Sequence, residues 1–316
     1  DLISTEFGEI RGGLLTAEIP ARDDENDFWN VEWNLVWDNA SMLTGLEASA
    51  KLNGTAQLVT RTGAFRNALF AGTAEVQIPD RLHMEPLLLT GRFAAPTDED
   101  SHWRAETTLV TDQIEWFEQY SLLLDRSEWK GRFHWLPGSD KEWSGAIGLN
   151  IQGLNTPWVT LENATFNTQL APNNDSSAVE AANESWAWWT SLAPYTVGLD
   201  AVFNGINGAF IEATHLTTQL KWEAPALHVQ QLQGSLYRGG IDLSGVLEIP
   251  TREATLEVTS DFDAWEIRHL LSPNGQKWID QYAWETPPRL NATGGARLPA
   301  WTDPKPDWRG EVKPTM

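Results

Sequence analysis

Six histidines, His83, His102, His134, His215, His228 and His269, are the first side chains to test for chemistry. No two fall at an i,i+4 or other metal-ligand spacing and there is no HExxH, so each reads as a surface or strand-face histidine. With no cysteine in the chain there is no thiol nucleophile, no thiolate metal site and no disulfide framework. Serine and aspartate are plentiful, but a GxSxG elbow, a P-loop and a GxGxxG after a parallel strand are all missing. Asp23-Asp24-Glu25-Asn26-Asp27 and Asp98-Glu99-Asp100 could offer oxygen ligands to calcium. Neither has the twelve-residue loop with its central glycine and closing glutamate, and both read as solvated turns. The 44 acidic residues single out no carboxylate pair for glycoside chemistry. The expectation is a non-enzymatic protein with no cofactor and no metal.

Tryptophan is the stronger signal, at 18 of 316 residues. Trp186-Ala187-Trp188-Trp189, Trp129, Trp135 and Trp143 could form a sugar-binding aromatic platform on a β-sandwich. The competing reading is packing. Trp29, Trp33 and Trp37 share one strand face and suit a core or a groove wall. Trp188 and Trp189, being adjacent, cannot both point inward on a strand, whereas Trp186 and Trp189 lie together on a helix. Glu184 to Leu192 is therefore expected to be an amphipathic helix capping a sheet end, with contact at a membrane interface as the lesser reading.

Charge narrows the partners. Acidic residues outnumber basic ones 44 to 22, for a formal charge of -22. A nucleic-acid binder needs a basic footprint to displace counterions from phosphates, so nucleic acid is not an expected partner. An anionic membrane would repel the chain, and contact with lipid must come through apolar burial. Clean apolar stretches such as Leu87 to Leu89 are far short of the roughly 20 residues of a membrane span. The chain begins at Asp1 and stops in what still reads as strand, and is expected to be a piece of a longer protein.

The elements that must position these residues are mostly strands. Trp29, Val31, Trp33, Leu35 and Trp37 alternate with Asn30, Glu32, Asn34 and Asp38, the pattern of a half-buried strand. Similar alternation recurs over Trp103 to Leu109, Ile147 to Ile151, Leu216 to Trp222, Ile241 to Ile249 and Ala254 to Val258. Turn signals at Asn53-Gly54, Pro137-Gly138, Asn204-Gly205, Asn207-Gly208, Gly239-Gly240 and Pro250 imply an antiparallel meander. Helices are expected at Asp112 to Leu124 and Asp263 to Leu271, with shorter ones at Glu184 to Leu192 and Gln276 to Tyr282. Pro172 to Ser177 is the best boundary, dividing the chain into 1–171, a linker with a short helix over 172–194, and 195–316. Echoes among Ile10 to Pro20, Phe70 to Pro79 and Tyr237 to Pro250 suggest a sheet built by accretion of hairpins.

Leu236-Tyr237-Arg238-Gly239-Gly240-Ile241-Asp242-Leu243-Ser244-Gly245 puts an aromatic residue before a glycine pair and an alternating strand. A turn, a second alternating strand over Ala254 to Ser260 and an Asp-led segment ending in Leu270-Leu271 follow. Over about 40 residues this is similar to the AsmA-like proteins of the Gram-negative envelope, relatives of TamB and YhdP. The resemblance implies an elongated, curved antiparallel sheet, mainly β with a few short helices, forming an apolar groove for phospholipid or another acyl lipid. It also implies the periplasm, an inner-membrane anchor outside this chain, and a part in intermembrane lipid transport or outer-membrane assembly. It implies no catalytic residue. A tail of about 16 carbons crossing water bare costs on the order of 12 kcal/mol, at about 0.8 kcal/mol per CH2, and an apolar trough removes most of that. The wall is expected to include Trp29, Trp33, Trp37, Leu243, Leu247, Leu256 and Val258. The alternatives are a carbohydrate-binding or adhesive β-sandwich of a secreted protein, and a scaffold with a filled core and no ligand.

Overall fold

Apolar and polar residues that alternate along the chain leave one face of each strand needing cover, and strands with this pattern make up 69% of the chain against 8% helix. The computed structural model describes the chain except residues 1, 6–7, 12, 20–27, 43–46, 61, 85, 98–99, 118–120, 137–142, 182–183, 209–210, 264, 271–272, 299–308 and 316. The mainly-β antiparallel fold expected from the sequence is what forms. Two compact units divide between Pro157 and Trp158. The Pro172 to Ser177 stretch lies within the second.

In the first unit the strands are β1 (Leu2–Thr5), β2 (Gly8–Arg11), β3 (Leu14–Glu18), β4 (Phe28–Met42), β5 (Glu47–Val59), β6 (Phe65–Ile78), β7 (Leu82–Met84), β8 (Leu87–Ala94), β9 (Trp103–Thr111), β10 (Ile114–Trp116), β11 (Leu122–Leu124), β12 (Ser127–Trp135) and β13 (Trp143–Asn155). β2 and β3 pair with successive parts of β4. The meander then runs β4–β5–β6–β8–β9–β12–β13. The short strands β7, β10 and β11 continue it beyond the ends of β8, β9 and β12, pairing in turn from β6 to β13. Asp112-Gln113, Asp125-Arg126 and, within β13, Gly153 at φ +75° therefore fall on one line across neighbouring strands. Such interruptions favour local bending of strands. Thr111 and Ser127, partners of each other beside this line, are each only 1% exposed although neither is apolar.

The second unit is a simpler meander: β14 (Val159–Pro172), β15 (Tyr195–Gly208), β16 (Ile211–Glu223), β17 (Ala226–Leu236), β18 (Gly239–Glu248), β19 (Glu253–Ser260), β20 (Leu290–Arg297) and β21 (Arg309–Thr315), each paired with the next. Among the described residues, two helical inserts interrupt it. Between β14 and β15 stand α1 (Ser176–Ala181) and a 3-10 helix over Glu184–Leu192; between β19 and β20 stand a 3-10 turn over Arg268–Leu270 and α2 (Pro273–Ile279).

Several local expectations need correction. Among the described residues of Asp112 to Leu124 there is no helix: Ile114 and Trp116 pair with Met84 and Leu82 on one side and with Leu124 and Leu122 on the other. Cross-strand partners here outweigh the helical spacing of Ile114, Phe117 and Leu124. Asn53-Gly54 is no turn but the middle of β5, and Asn204-Gly205 lies inside β15. The Asp263 to Leu271 helix shortens to the Arg268–Leu270 turn, and the one expected over Gln276 to Tyr282 starts earlier, at Pro273. The turn at Gly239-Gly240 is made instead by Tyr237 and Arg238, both at positive φ. Pro137-Gly138 and the loop from Asp23 to Asp27 lie outside the described residues, as do Asp98 and Glu99.

Candidate functional site

Register decides which side chains share a face, because residues directly opposite in an antiparallel pair project to the same side. In the second unit one such row runs Leu170, Val197, Trp222, Leu227, Leu247, Ala254 and Ala296. Parallel rows carry Thr168, Leu199, Leu220 and Val229, then Phe166, Ala201, Thr218, Leu232, Leu243, Val258 and Ala292. From β14 to β20 this face is apolar except for scattered hydroxyls. The opposite face carries Asn167, Asp200, Gln219, Lys221, His228, Gln233, Asp242, Glu257 and Thr293. Leucines on the apolar face lie over glycines of the next strand: a Cβ at Gly234 would come 3.0 Å from Leu216 Cδ1, and one at Gly245 would run into Leu256.

One end of this face is closed by the first helical insert. Trp186, Trp189, Ala178 and Ala193 form a buried cluster with Trp222, Ala224 and Ile249, and Leu192, Val197, Leu227 and Leu247 pack against it. The indole of Trp222 donates from Nε1 to the Leu192 carbonyl at 2.8 Å, its ring 5.1 Å from that of Trp189. Trp186 is 1% exposed, while Trp188 is 58% exposed and stacks on Trp189 at 4.0 Å. The helix that the tryptophan spacing implied therefore caps the sheet end. Its geometry differs from that expectation: it is 3-10, kinked at Ala187 (φ 49°, ψ -129°), and the kink separates Trp186 from Trp189. Away from this cap the apolar face is covered much less. Leu243 and Val258 are half-buried, and Leu256 is 37% exposed; Leu247, under the cap, is half-buried too.

The first unit has an apolar face of different make. Trp29, Val31, Trp33, Leu35 and Trp37 of β4 stand opposite Leu58, Ala56, Gly54, Leu52 and Ala50 of β5. The face continues through Phe70, Gly72 and Ala74, then Leu87, Leu89, Gly91 and Phe93, to Ala105, Leu109, Trp129, Phe133, Ile147 and Leu149. Rings lie on glycines here: a Cβ at Gly54 would come 2.6 Å from the Trp33 ring, and one at Gly91 equally near Phe70 Cε1. At one strand end Phe65, Trp103, Trp135 and Trp143 form a row, with ring centroids 5.8, 6.1 and 5.2 Å apart and interplanar angles of 18°, 14° and 9°. Phe93 meets Trp135 edge-on at 5.4 Å. Trp103 and Trp135 each spend both faces on neighbours, so the row does not present a coplanar platform with open faces.

The seven wall residues expected from the sequence thus fall into two groups, Trp29, Trp33 and Trp37 on the first face and Leu243, Leu247, Leu256 and Val258 on the second. Leu243 and Val258 are direct cross-strand partners. Sequence reasoning missed Phe70 and Leu89 in the first unit and Leu199 and Phe203 in the second, and it left Leu109 and Leu220, which it had read in alternating strands, out of the wall. The same period-two alternation marks them, diluted by threonine and glycine. No family model, curated protein or solved structure matches the chain.

Open, shallow hollows lie elsewhere, on the polar faces. One of about 760 Å3 is bordered by Lys221, His228, Ser244, Thr255, Glu257 and Thr293, and one of about 540 Å3 lies on the polar face of the first unit. Acyl chains would find ionic groups at both, so neither hollow belongs to the apolar faces. Among the described residues no group of three or more His, Asp or Glu is placed to hold a metal ion, and no helix is long and apolar enough to cross a membrane.

Proposed function

We propose that the apolar sheet faces hold acyl lipid. The observation that carries this reading is the second unit's face: apolar from β14 to β20 but for scattered hydroxyls, closed at one strand end by the tryptophan insert, and left half-exposed at Leu243, Leu256 and Val258. A filled sandwich core would bury such residues as completely as Ile249, at 0% exposure. Open apolar surface of this extent calls for an apolar ligand or partner. The resemblance of the Tyr237 to Leu271 region to AsmA-like proteins favours phospholipid as that ligand. It also favours a periplasmic setting, an inner-membrane anchor outside this chain, and a role in lipid transport or outer-membrane assembly. The glycan-binding reading is the weaker one, since the aligned tryptophans stack on each other rather than lying side by side.

The test is organic extraction and mass spectrometry of the folded chain after expression in a bacterial periplasm. Phospholipid near stoichiometry is expected, together with its loss in Leu243→Asp and Leu256→Asp variants that keep the wild-type circular dichroism spectrum. A folded sample without lipid, or lipid retained by both variants, overturns the reading.

A further inference from the structure

The polar face of the first unit carries an arrangement the acyl-lipid reading does not use. Two register rows cross it side by side. One reads Asn30, Gln57, Asn67, Ala94, Arg104 and His134; the next reads Glu32, Thr55, Leu69, Arg92, Glu106 and Arg132. In the first row the amides form a directional ladder, Asn67 Nδ2 donating to Gln57 Oε1 at 3.0 Å and Gln57 Nε2 to Asn30 Oδ1 at 3.1 Å. Ala94 breaks the ladder. Its methyl group leaves a notch between the Asn67 amide on one side and Arg104 on the other, with Arg92 one step along its own strand. The notch opens into the hollow of about 540 Å3, a size typical of small-ligand sites.

The guanidinium groups have donors to spare. Each carries five N–H groups in a planar fork. Arg92 and Arg132 both reach the same oxygen, Glu106 Oε1, at 3.0 and 3.5 Å, and Arg104 has Asp100 at 3.4 Å. The carboxylate facing the notch is thereby already shared between two cations. Glu32, which also borders the hollow, lies three strands from Arg92, about 14 Å at the usual strand spacing. We propose that Arg92, Arg104 and Asn67 form a site for an oxyanion, a phosphate or carboxylate group, on a small molecule whose remainder lies along Thr55, Gln57 and Asn30. Fork geometry suits both groups. The chain's net negative charge opposes anions at long range, but at about 0.15 M salt that field is screened beyond about 8 Å and the local donors prevail.

The whole chain, labelled with nitrogen-15, is titrated with sodium phosphate and separately with sodium acetate at constant ionic strength. Saturable shifts are expected at the Nε–H of Arg92 and Arg104 and at the Asn67 side-chain amide. Tighter phosphate binding assigns a phosphate ligand and tighter acetate binding a carboxylate, and either supports the site. Arg104→Gln should weaken binding at least tenfold. Ala94→Leu, which fills the notch and leaves every charge in place, should do the same, whereas Lys130→Gln on the same face should not. Non-saturating shifts spread over all the arginines, or wild-type affinity in Ala94→Leu, overturn the proposal.

Discussion

The two units solve one problem with different side chains. Each must keep a broad apolar face ordered. In the first unit rings do this by lying on glycines, Trp33 on Gly54 and Phe70 on Gly91, and by stacking in a row at one strand end. In the second, leucines lie on glycines, Leu216 on Gly234 and Leu256 on Gly245, and the strand end is closed by a helical insert with its own buried cluster. A ring row spreads its contacts over several strands; an insert concentrates them in one place. The second unit should therefore depend heavily on a few residues, and the first on none in particular.

Trp186→Ala is the sharpest way to break that contrast. It empties the centre of the insert cluster, where the indole is 1% exposed, and should cost about 3–5 kcal/mol. Hydrogen exchange should report lost protection in β15 to β18 with the first unit unchanged; a uniform loss over both units would contradict the division. Glycine substitutions probe the floors with a smaller effect. Gly91→Ala must displace the Phe70 ring and should cost about 1–3 kcal/mol, with a change in the near-ultraviolet circular dichroism of the aromatic residues. Gly295→Ala, where a Cβ finds nothing nearer than 3.8 Å, should leave both the melting temperature and that spectrum unchanged. Equal effects would mean the ring is not held on the glycine.

The smallest expected effect concerns the second insert. Arg268 donates from Nε and Nη2 to the two oxygens of Asp280, each at 2.7 Å, and this hydrogen bonding holds the Asp280 carboxyl below its ordinary 3.8. A carboxyl with a depressed folded-state pKa stabilises the fold above its unfolded value, and that contribution is lost as pH falls from 3.8 through the lower folded value. Comparing melts of the wild type and Asp280→Asn should show a difference at neutral pH that shrinks below 3.8. A gap that widens on acidification would refute the assignment. Both side chains are solvent-exposed, so the difference should be small.

Much of the sheet was legible because alternation has a local cause: side chains on a strand point to opposite sides whatever the strand pairs with. That is why the face carrying Trp29, Trp33 and Trp37 could be read from β4 alone, and why Leu243 and Val258 could be placed on a common face. The spacing of Trp186 and Trp189 likewise pointed to a helical cap. Asn53-Gly54 misled because an Asn-Gly pair serves equally for a tight hairpin turn and for a strand position overlain by a neighbour's ring, and the ring comes from Trp33, on another strand. Asp112 to Leu124 misled because three-residue strands carry too few residues to show a period.

Residue order thus sufficed for the class of fold and for much of the alternation that sorts side chains between the two faces. Register did the rest. The Ala94 notch beside Arg104, the pairing of buried Thr111 with Ser127, and the meeting of Trp222 with the insert all join residues distant in sequence. A shift of one residue in pairing would turn every such side chain to the other face, and the register itself is held by packing across the whole unit.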